Sequence, residues 1–224
     1  QNVPMLGRVI AELSPERQVG CLFLLPLWHP VLVAEQVGTL ASLVDRPFVV
    51  QTGIGAGVQQ FDAMGASLRT RGADLEESIR IVDALFAGES VSSERFGLTE
   101  ASVAPRPPHG VEWWVGAGVD KALRRAATLS NAWYTNPHFT PEQLAPMVQR
   151  YTEFCAEVGR PSRVAMRKDV LVLDDGRAAE EAGAAILESG YRGMERENVL
   201  IGSPDRAREE LEAFAAVGVD DIII

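Results

Sequence analysis

Cysteine is nearly absent from these 224 residues: Cys21 and Cys155 are the only two. They lie far apart in sequence, so no disulfide framework is expected, and both read as buried thiols in a reducing, cytoplasmic compartment. Histidine is as scarce. His29, His109 and His138 each stand beside or within a proline-containing turn, and none has ligand spacing such as H-E-x-x-H. No metal site is expected. Basic residues are outnumbered, 21 Lys and Arg against 31 Asp and Glu for a net charge of −10, with no basic stripe to track a phosphodiester backbone. Nucleic acid is therefore not an expected partner. No apolar run approaches the roughly 20 residues of a membrane helix, and the first residues lack a charged start followed by an apolar stretch. No membrane association is expected. Repeats of solenoid length are missing too. What the composition does allow, at 46% hydrophobic and 23% charged residues, is one sizeable core. A single domain over 1–224 is the expectation.

Against that background the stretch Phe48-Val49-Val50-Gln51-Thr52-Gly53-Ile54-Gly55-Ala56-Gly57 stands out. A short run of β-branched and aromatic residues ends in three alternating glycines, as a buried strand does when its tip delivers backbone to a ligand. Val111-Glu112-Trp113-Trp114-Val115-Gly116-Ala117-Gly118 repeats the idea, with Asp120 opening a helical pattern. A G-x-G-x-G matches the dinucleotide fingerprint only loosely, and no acidic strand end follows Gly57 about 20 residues on, so the classical dinucleotide reading is demoted.

Strand runs alternate with helical ones along the chain. About six strands are expected by pattern, at Cys21, Val49, Trp114, Trp133, Val170 and Ile223. Val31 to Val44, Lys121 to Leu129, Thr140 to Val158, Arg177 to Ser189 and Ser203 to Val217 read as helices, and Ser14-Pro15-Glu16 as a turn. Asp74 with Glu77 has the spacing of a capping box. Residues 89–110 are polar and proline-rich, an irregular excursion with at most short strand fragments around Arg95 to Val103. Val164 to Leu173 is a strand run broken by Arg167-Lys168-Asp169, charges that need a wet or paired location. The alternation predicts an α/β parallel sheet, and a (β/α)8 barrel needs eight strands. The chain reads as such a barrel lacking its first one or two βα units. Trp28, Trp133 and Tyr134 fall at or near strand ends and are candidate walls of a substrate pocket. Arg167 and Lys168 are candidate contacts for an anionic substrate or cofactor tail. His29 reads as a structural or capping residue ahead of catalysis.

The order Leu25-Pro26-Leu27-Trp28-His29-Pro30, Gly53-Ile54-Gly55-Ala56-Gly57 with Phe61 and Gly65, Arg71-Gly72 with Glu77, Pro105 with Pro107, and Trp114-Val115-Gly116-Ala117-Gly118 with Arg124-Arg125-Ala126 resembles the bacterial luciferase-like monooxygenase superfamily. Trp133, Gly159-Arg160 and Ile201-Gly202-Ser203-Pro204 continue the match. The resemblance implies a TIM barrel holding FMN, or the deazaflavin coenzyme F-420, at the C-terminal ends of its strands. It implies a cis peptide or bulge at Leu22-Phe23 behind the flavin ring. It also implies that Gly53, Ile54, Gly55 and Ala56 lie beside the cofactor and that Gly116, Ala117 and Gly118 take its phosphate, in keeping with helix N-termini as anion sites. The chain has Ala56 where some members carry an acid, and Asn131-Ala132-Trp133 where many read Asp-Gly-Trp. The implied activity is monooxygenation with reduced FMN on a small organic substrate; the alternatives are hydride transfer with the deazaflavin and a non-catalytic flavin-binding or assembly barrel. A homodimer is implied, and no catalytic residue is assigned.

Overall fold

The computed structural model describes residues 2–14 and 16–224. Of the turn expected at Ser14-Pro15-Glu16, Pro15 lies outside the described residues. The chain divides into two compact units, Gln1–Gly116 with Leu129–Asn131, and Ala117–Thr128 with Ala132–Ile224.

The first unit runs α1 (Asn2–Ile10), β1 (Gly20–Phe23), α2 (Pro30–Ala41), β2 (Phe48–Thr52), α3 (Val58–Ala63), α4 (Arg71–Ala87), β3 (Val91–Ser93), β4 (Leu98–Ala101) and β5 (Val111–Gly116). β1, β2 and β5 are parallel, with Phe23 opposite Thr52 and Thr52 opposite Val115, so their C-terminal ends finish side by side. A parallel arrangement buries both strand faces, and Phe48, Val49 and Val50 are accordingly buried as a continuous run. α2 begins with Pro30 at a position where the missing N–H costs nothing. α4 ends at Gly88, which takes the left-handed conformation at φ 86°. Val33 and Val37 of α2 and Leu75, Ile79 and Val82 of α4 are fully buried at helical spacing. Each such side chain contributes about 1.5–3 kcal/mol by leaving water.

Two expectations change here. β1 pairs with β2 in unbroken register through Phe23, and the cis peptide among the described residues is Ala104–Pro105, so Leu22-Phe23 carries neither a cis bond nor a bulge. The chain is turned instead by a 3-10 turn at Leu25–Leu27 directly after the strand, which makes a distortion inside it unnecessary. Asp74 and Glu77 do not form a capping box, because α4 starts earlier, at Arg71. Both carboxylates are taken by Arg95, whose Nη1 donates to Asp74 and Nε to Glu77, each at 2.8 Å; Thr70 and Ser93 hydroxyls donate to the same two acids. A planar guanidinium fork from another element outcompetes the local cap. Arg95 sits in the turn of the β3–β4 antiparallel hairpin, whose short strands lie within the excursion at 89–110, β3 somewhat earlier than the fragments expected around Arg95 to Val103.

Cys21 is buried in β1, and burial pushes its thiol up to about 11, with a hydrogen bond to the Leu22 backbone pulling the other way. A raised folded pKa means stability complete below the unfolded value and lost as pH rises from about 9 through 11. Urea unfolding at successive pH values should therefore show Cys21→Ala losing less stability than wild type across that window, by on the order of 1–2 kcal/mol after allowing for solvent screening. Parallel pH profiles for the two proteins would remove the thiol from the alkaline limb.

The second unit runs α5 (Asp120–Leu129), β6 (Ala132–Thr135), α6 (Pro141–Glu157), β7 (Val164–Arg167), β8 (Val170–Val172), α7 (Gly176–Glu188), β9 (Leu200–Gly202), α8 (Pro204–Ala216) and β10 (Asp221–Ile223). β7 is paired in parallel with β6 on one side and β10 on the other. The strand run expected from 164 to 173 is two strands. β8 leaves that ladder and pairs in parallel with β9, and Arg167-Lys168-Asp169 occupies the switch between them. α6 opens with a full capping box, Thr140 and Gln143 bonding each other's backbone N–H, ahead of Pro141. α8 is capped by Ser203, whose hydroxyl accepts from the Arg206 N–H. No helix of the described residues is long and apolar enough to cross a membrane.

Candidate functional site

In the first unit the shared C-terminal end of β1, β2 and β5 brings Phe23, the 53–56 segment and Gly116 to one edge. Gly55 holds φ at +64°, and a β-carbon there would come within 3.0 Å of the buried Phe61 ring. Only glycine fits without strain. Its carbonyl accepts a hydrogen bond from Arg71 Nη1 at 3.1 Å, which fixes the corner from the start of α4. Thr52 Oγ1 accepts from the Leu25 N–H at 3.4 Å and ties the exit of β1 to that of β2. A β-carbon on Gly53 would meet no atom within 4 Å, so the corner presents bare main chain to open space. Leu22 is 47% exposed beside it, whereas Phe23 is wholly buried with Trp28 edge-on at 5.4 Å. Trp28 is half-buried, as a residue walling a pocket from a core foothold would be. His29 makes no side-chain cap; its Nε2 lies 3.2 Å from the Phe96 carbonyl and its ring stands edge-on to Phe96. It tethers the β3–β4 hairpin.

Asn131, where an acid was the commoner residue in the resemblance, serves β5: its Oδ1 accepts from the Trp113 N–H at 2.8 Å while its own N–H donates to the Trp113 carbonyl at 2.8 Å. An amide oxygen does here what a carboxylate would.

The second unit contains the rest. Trp133, expected in a pocket wall, is 0% exposed, packed on Tyr151 at 5.5 Å, and its indole N–H donates to the Ala117 carbonyl at 3.0 Å. It is a core residue that braces the Ala117-Gly118 turn. A ring this large reached the core because α6 supplies a matching apolar face (Leu144, Tyr151, Phe154, Cys155). A β-carbon on Gly118 would meet nothing within 4 Å. At the start of α5 the Ala122 and Leu123 N–H groups both bond the Val119 carbonyl, which leaves those of Asp120 and Lys121 ahead of the first turn, and the negative charge of Asp120 beside them is compensated by Arg150.

Tyr134 is half-buried near the end of β6, and Arg167 ends β7 one residue beyond the Thr135–Met166 pair. Burial raises the Tyr134 phenol, with Asp169 adding to it and Arg167 and Arg192 pulling the other way. It stays protonated at neutral pH. Arg167 Nη2 donates to Asp169 at 3.1 Å, while its Nε is buried without a hydrogen-bond partner among the described residues. Lys168 is 1% exposed, not at an open rim as an anion contact was expected to be. Its ammonium stands 4.8 Å from the Phe214 ring centroid and donates to the Pro137 carbonyl at 3.5 Å. Asp169, Arg192 and Arg71 were not singled out as site residues from the sequence. Arg71 entered only through the Arg71-Gly72 match to the family, with no site role attached. Among the described residues no three His, Cys, Asp or Glu side chains gather as a metal set would.

In the first unit Gly53 is open to a ligand; in the second, Gly118 is open and Arg167 keeps a buried donor without a partner among the described residues. The family model described as luciferase-like monooxygenase matches residues 20–195. The monooxygenase RslO1 from Streptomyces bottropensis superposes with a TM-score of 0.84 at 19% identity, over 100% of this chain and 75% of that one. An F-420-dependent secondary alcohol dehydrogenase, solved with an F-420–acetone adduct, gives 0.83 at 17% identity over 99% and 77%. The oxygenating component of 3,6-diketocamphane monooxygenase from Pseudomonas putida, solved with FMN, gives 0.76 at 16% over 100% and 76%. Uncharacterized proteins of Mycobacterium tuberculosis and Mycobacterium bovis are 27% identical over 173 residues. The chain spans 59% of the length of these curated relatives.

Proposed function

We propose, from the premise that this chain belongs to the luciferase-like monooxygenase family, that it is the cofactor-binding part of a flavin-dependent oxidoreductase on a (β/α)8 barrel. The favoured reaction is monooxygenation of a small organic substrate with reduced FMN. The observation that carries the reading is the Gly53–Ala56 corner: a left-handed glycine, its carbonyl locked by Arg71, close to a glycine open to a ligand.

When bound, the cofactor supplies the redox chemistry, oxygen activation for FMN or hydride transfer for the deazaflavin, and the protein supplies position and a dry site. Gly53, Ile54, Gly55 and Ala56 would lie against the ring system with Leu22, and buried Phe23 supports the corner from β1. Ala117 and Gly118, with the first N–H groups of α5, would take the phosphate, and Gly116 leads the chain into that turn. Tyr134, kept neutral by burial, would wall the substrate pocket near the end of β6 and holds its proton at neutral pH. Arg167 Nε is a donor still to be used, suited to an oxygen of the substrate or of the cofactor tail. The second reading, hydride transfer with coenzyme F-420, has support in the F-420-dependent glucose-6-phosphate dehydrogenase of Microbacterium testaceum, 27% identical over 155 residues. We include a homodimer in the proposal, to be read by light scattering.

Titration of the full-length protein with FMN and with F-420 tests the reading. Arg71→Met should weaken binding of the preferred cofactor about fivefold, close to 1 kcal/mol, by freeing the Gly55 carbonyl without touching the ligand. Equal affinities in wild type and variant would sink the corner as the site. Failure of both cofactors to bind wild type would leave the non-catalytic barrel as the better reading.

A further inference from the structure

In the first unit Gln51 follows the buried apolar run Phe48-Val49-Val50 of β2. Its registered partners are Leu22 on β1 and Trp114 on β5; those of the next residue, Thr52, are Phe23 and Val115. Residues in register point to one face of a sheet, and successive rows point to opposite faces. The Phe23-Thr52-Val115 row is sealed, each residue at most 1% exposed. Trp113, on that same face, donates its indole N–H to Asp83 of α4 at 2.7 Å, so this is the side that the helices cover. The Leu22-Gln51-Trp114 row looks the other way, with Leu22 47% exposed and Gln51 partly so.

A carboxamide carries one acceptor oxygen and two N–H donors. Those of Gln51 have no hydrogen-bond partner among the described residues. Leu22 has no polar side-chain atom to offer, and the indole N–H of Trp114 goes to Glu112 at 3.2 Å. Leu22 and Trp114 flank the amide with apolar surface, which strengthens any hydrogen bond it makes to a ligand that displaces water. Gln51 stands directly across from Leu22 and two residues before Gly53, beside the surface assigned above to the cofactor ring. Its donor and acceptor lie side by side, and the complement of such a pair is a carbonyl next to an N–H. A lone ketone or hydroxyl would use half of it. The pyrimidinedione ends of FMN and F-420 both carry the matching edge.

We propose that Gln51 reads the pyrimidinedione edge of the cofactor, its carbonyl accepting from the ring N3–H and its amide N–H donating to a neighbouring ring oxygen. The inference rests on the cofactor reading and deepens it: the amide decides which end of the flat ring enters beside β2.

The experiment is calorimetric titration of full-length wild type and Gln51→Leu with FMN and N3-methyl-FMN, and with F-420 and its N3-methyl derivative. Methylation removes the ring donor and leaves the rest of the cofactor unchanged. For whichever cofactor binds, wild type is expected to hold the parent about tenfold more tightly than the methylated form, as the loss of one or two hydrogen bonds implies. Gln51→Leu should weaken the parent by about tenfold and shrink the discrimination to below about threefold. An apolar side chain in a strand beside Leu22 should leave the urea midpoint and far-UV circular dichroism at wild-type values, so the weakening is not unfolding. Equal affinity of wild type for a cofactor and its methyl derivative overturns the proposal without any variant. So does discrimination that persists in Gln51→Leu, which would give the N3 edge to another residue. In both of those results the parent cofactor still binds and the cofactor reading stands; failure of FMN and F-420 alike to bind wild type overturns the two together.

Discussion

Trp133→Ala is expected to lower the unfolding free energy by about 3–5 kcal/mol, the range for emptying a fully buried aromatic site. The ring is 0% exposed and packs at 5.5 Å on Tyr151, a residue of α6. Its neighbours Tyr151, against the ring, and Val164, opposite it in the ladder, are themselves buried and fixed in α6 and β7. A stability of roughly 5–15 kcal/mol leaves little margin for such a loss. Trp133→Phe separates packing from hydrogen bonding. It keeps most of the apolar ring but deprives the Ala117 carbonyl of its 3.0 Å donor, at about 1–2 kcal/mol. Urea denaturation followed by far-UV circular dichroism checks both. A loss below about 1 kcal/mol for Trp133→Ala would mean the site collapses easily and that the indole is not the brace of the turn.

Gly118→Glu should weaken cofactor binding at least tenfold, about 1.4 kcal/mol, while leaving the fold intact. The second half of that statement comes from geometry: a β-carbon at 118 meets no heavy atom within 4 Å, so the substitution strains nothing in the protein itself. The first half comes from electrostatics. The residue precedes α5, whose first N–H groups and dipole favour an anion, and a carboxylate there both occupies the space and repels a phosphate. Arg150 is already engaged by Asp120 and is not free to neutralise the newcomer. Gly118→Ala is the control, adding bulk without charge and expected to cost less. Calorimetric titration of the full-length proteins with FMN and with F-420 decides the matter. Equal affinity for wild type and Gly118→Glu would remove the 116–118 turn from the cofactor site, even if the Gly55 corner survives its own test.

Elements whose stability is local were legible in the sequence. The β2 run and its glycine corner, the Pro141 and Ser203 helix starts and the alternation of strands with helices depend on burial period and backbone geometry, which neighbouring residues encode. The glycine motifs also carried the family. Elements decided by a partner elsewhere in the chain were misread. Asp74 and Glu77 have cap spacing, but Arg95 of the hairpin claims both. Arg167-Lys168-Asp169 looked like a charged interruption of one strand. It is the point where the chain leaves one ladder for another, and β9, the partner that makes β8 a strand, comes about thirty residues later. Trp133 looked like a wall because it sits in a strand leading to a site, and α6 made it core.

The sequence by itself therefore determined the parallel α/β class, the positions of the glycine corners and the family to which they belong, because periodicity and φ requirements are written residue by residue. Tertiary structure alone decided that Arg71 holds the Gly55 carbonyl, that Trp133 braces Ala117 and that Lys168 is buried against the Phe214 ring. Those are pairings between distant segments, and their energies exist only once folding has removed water from between the groups.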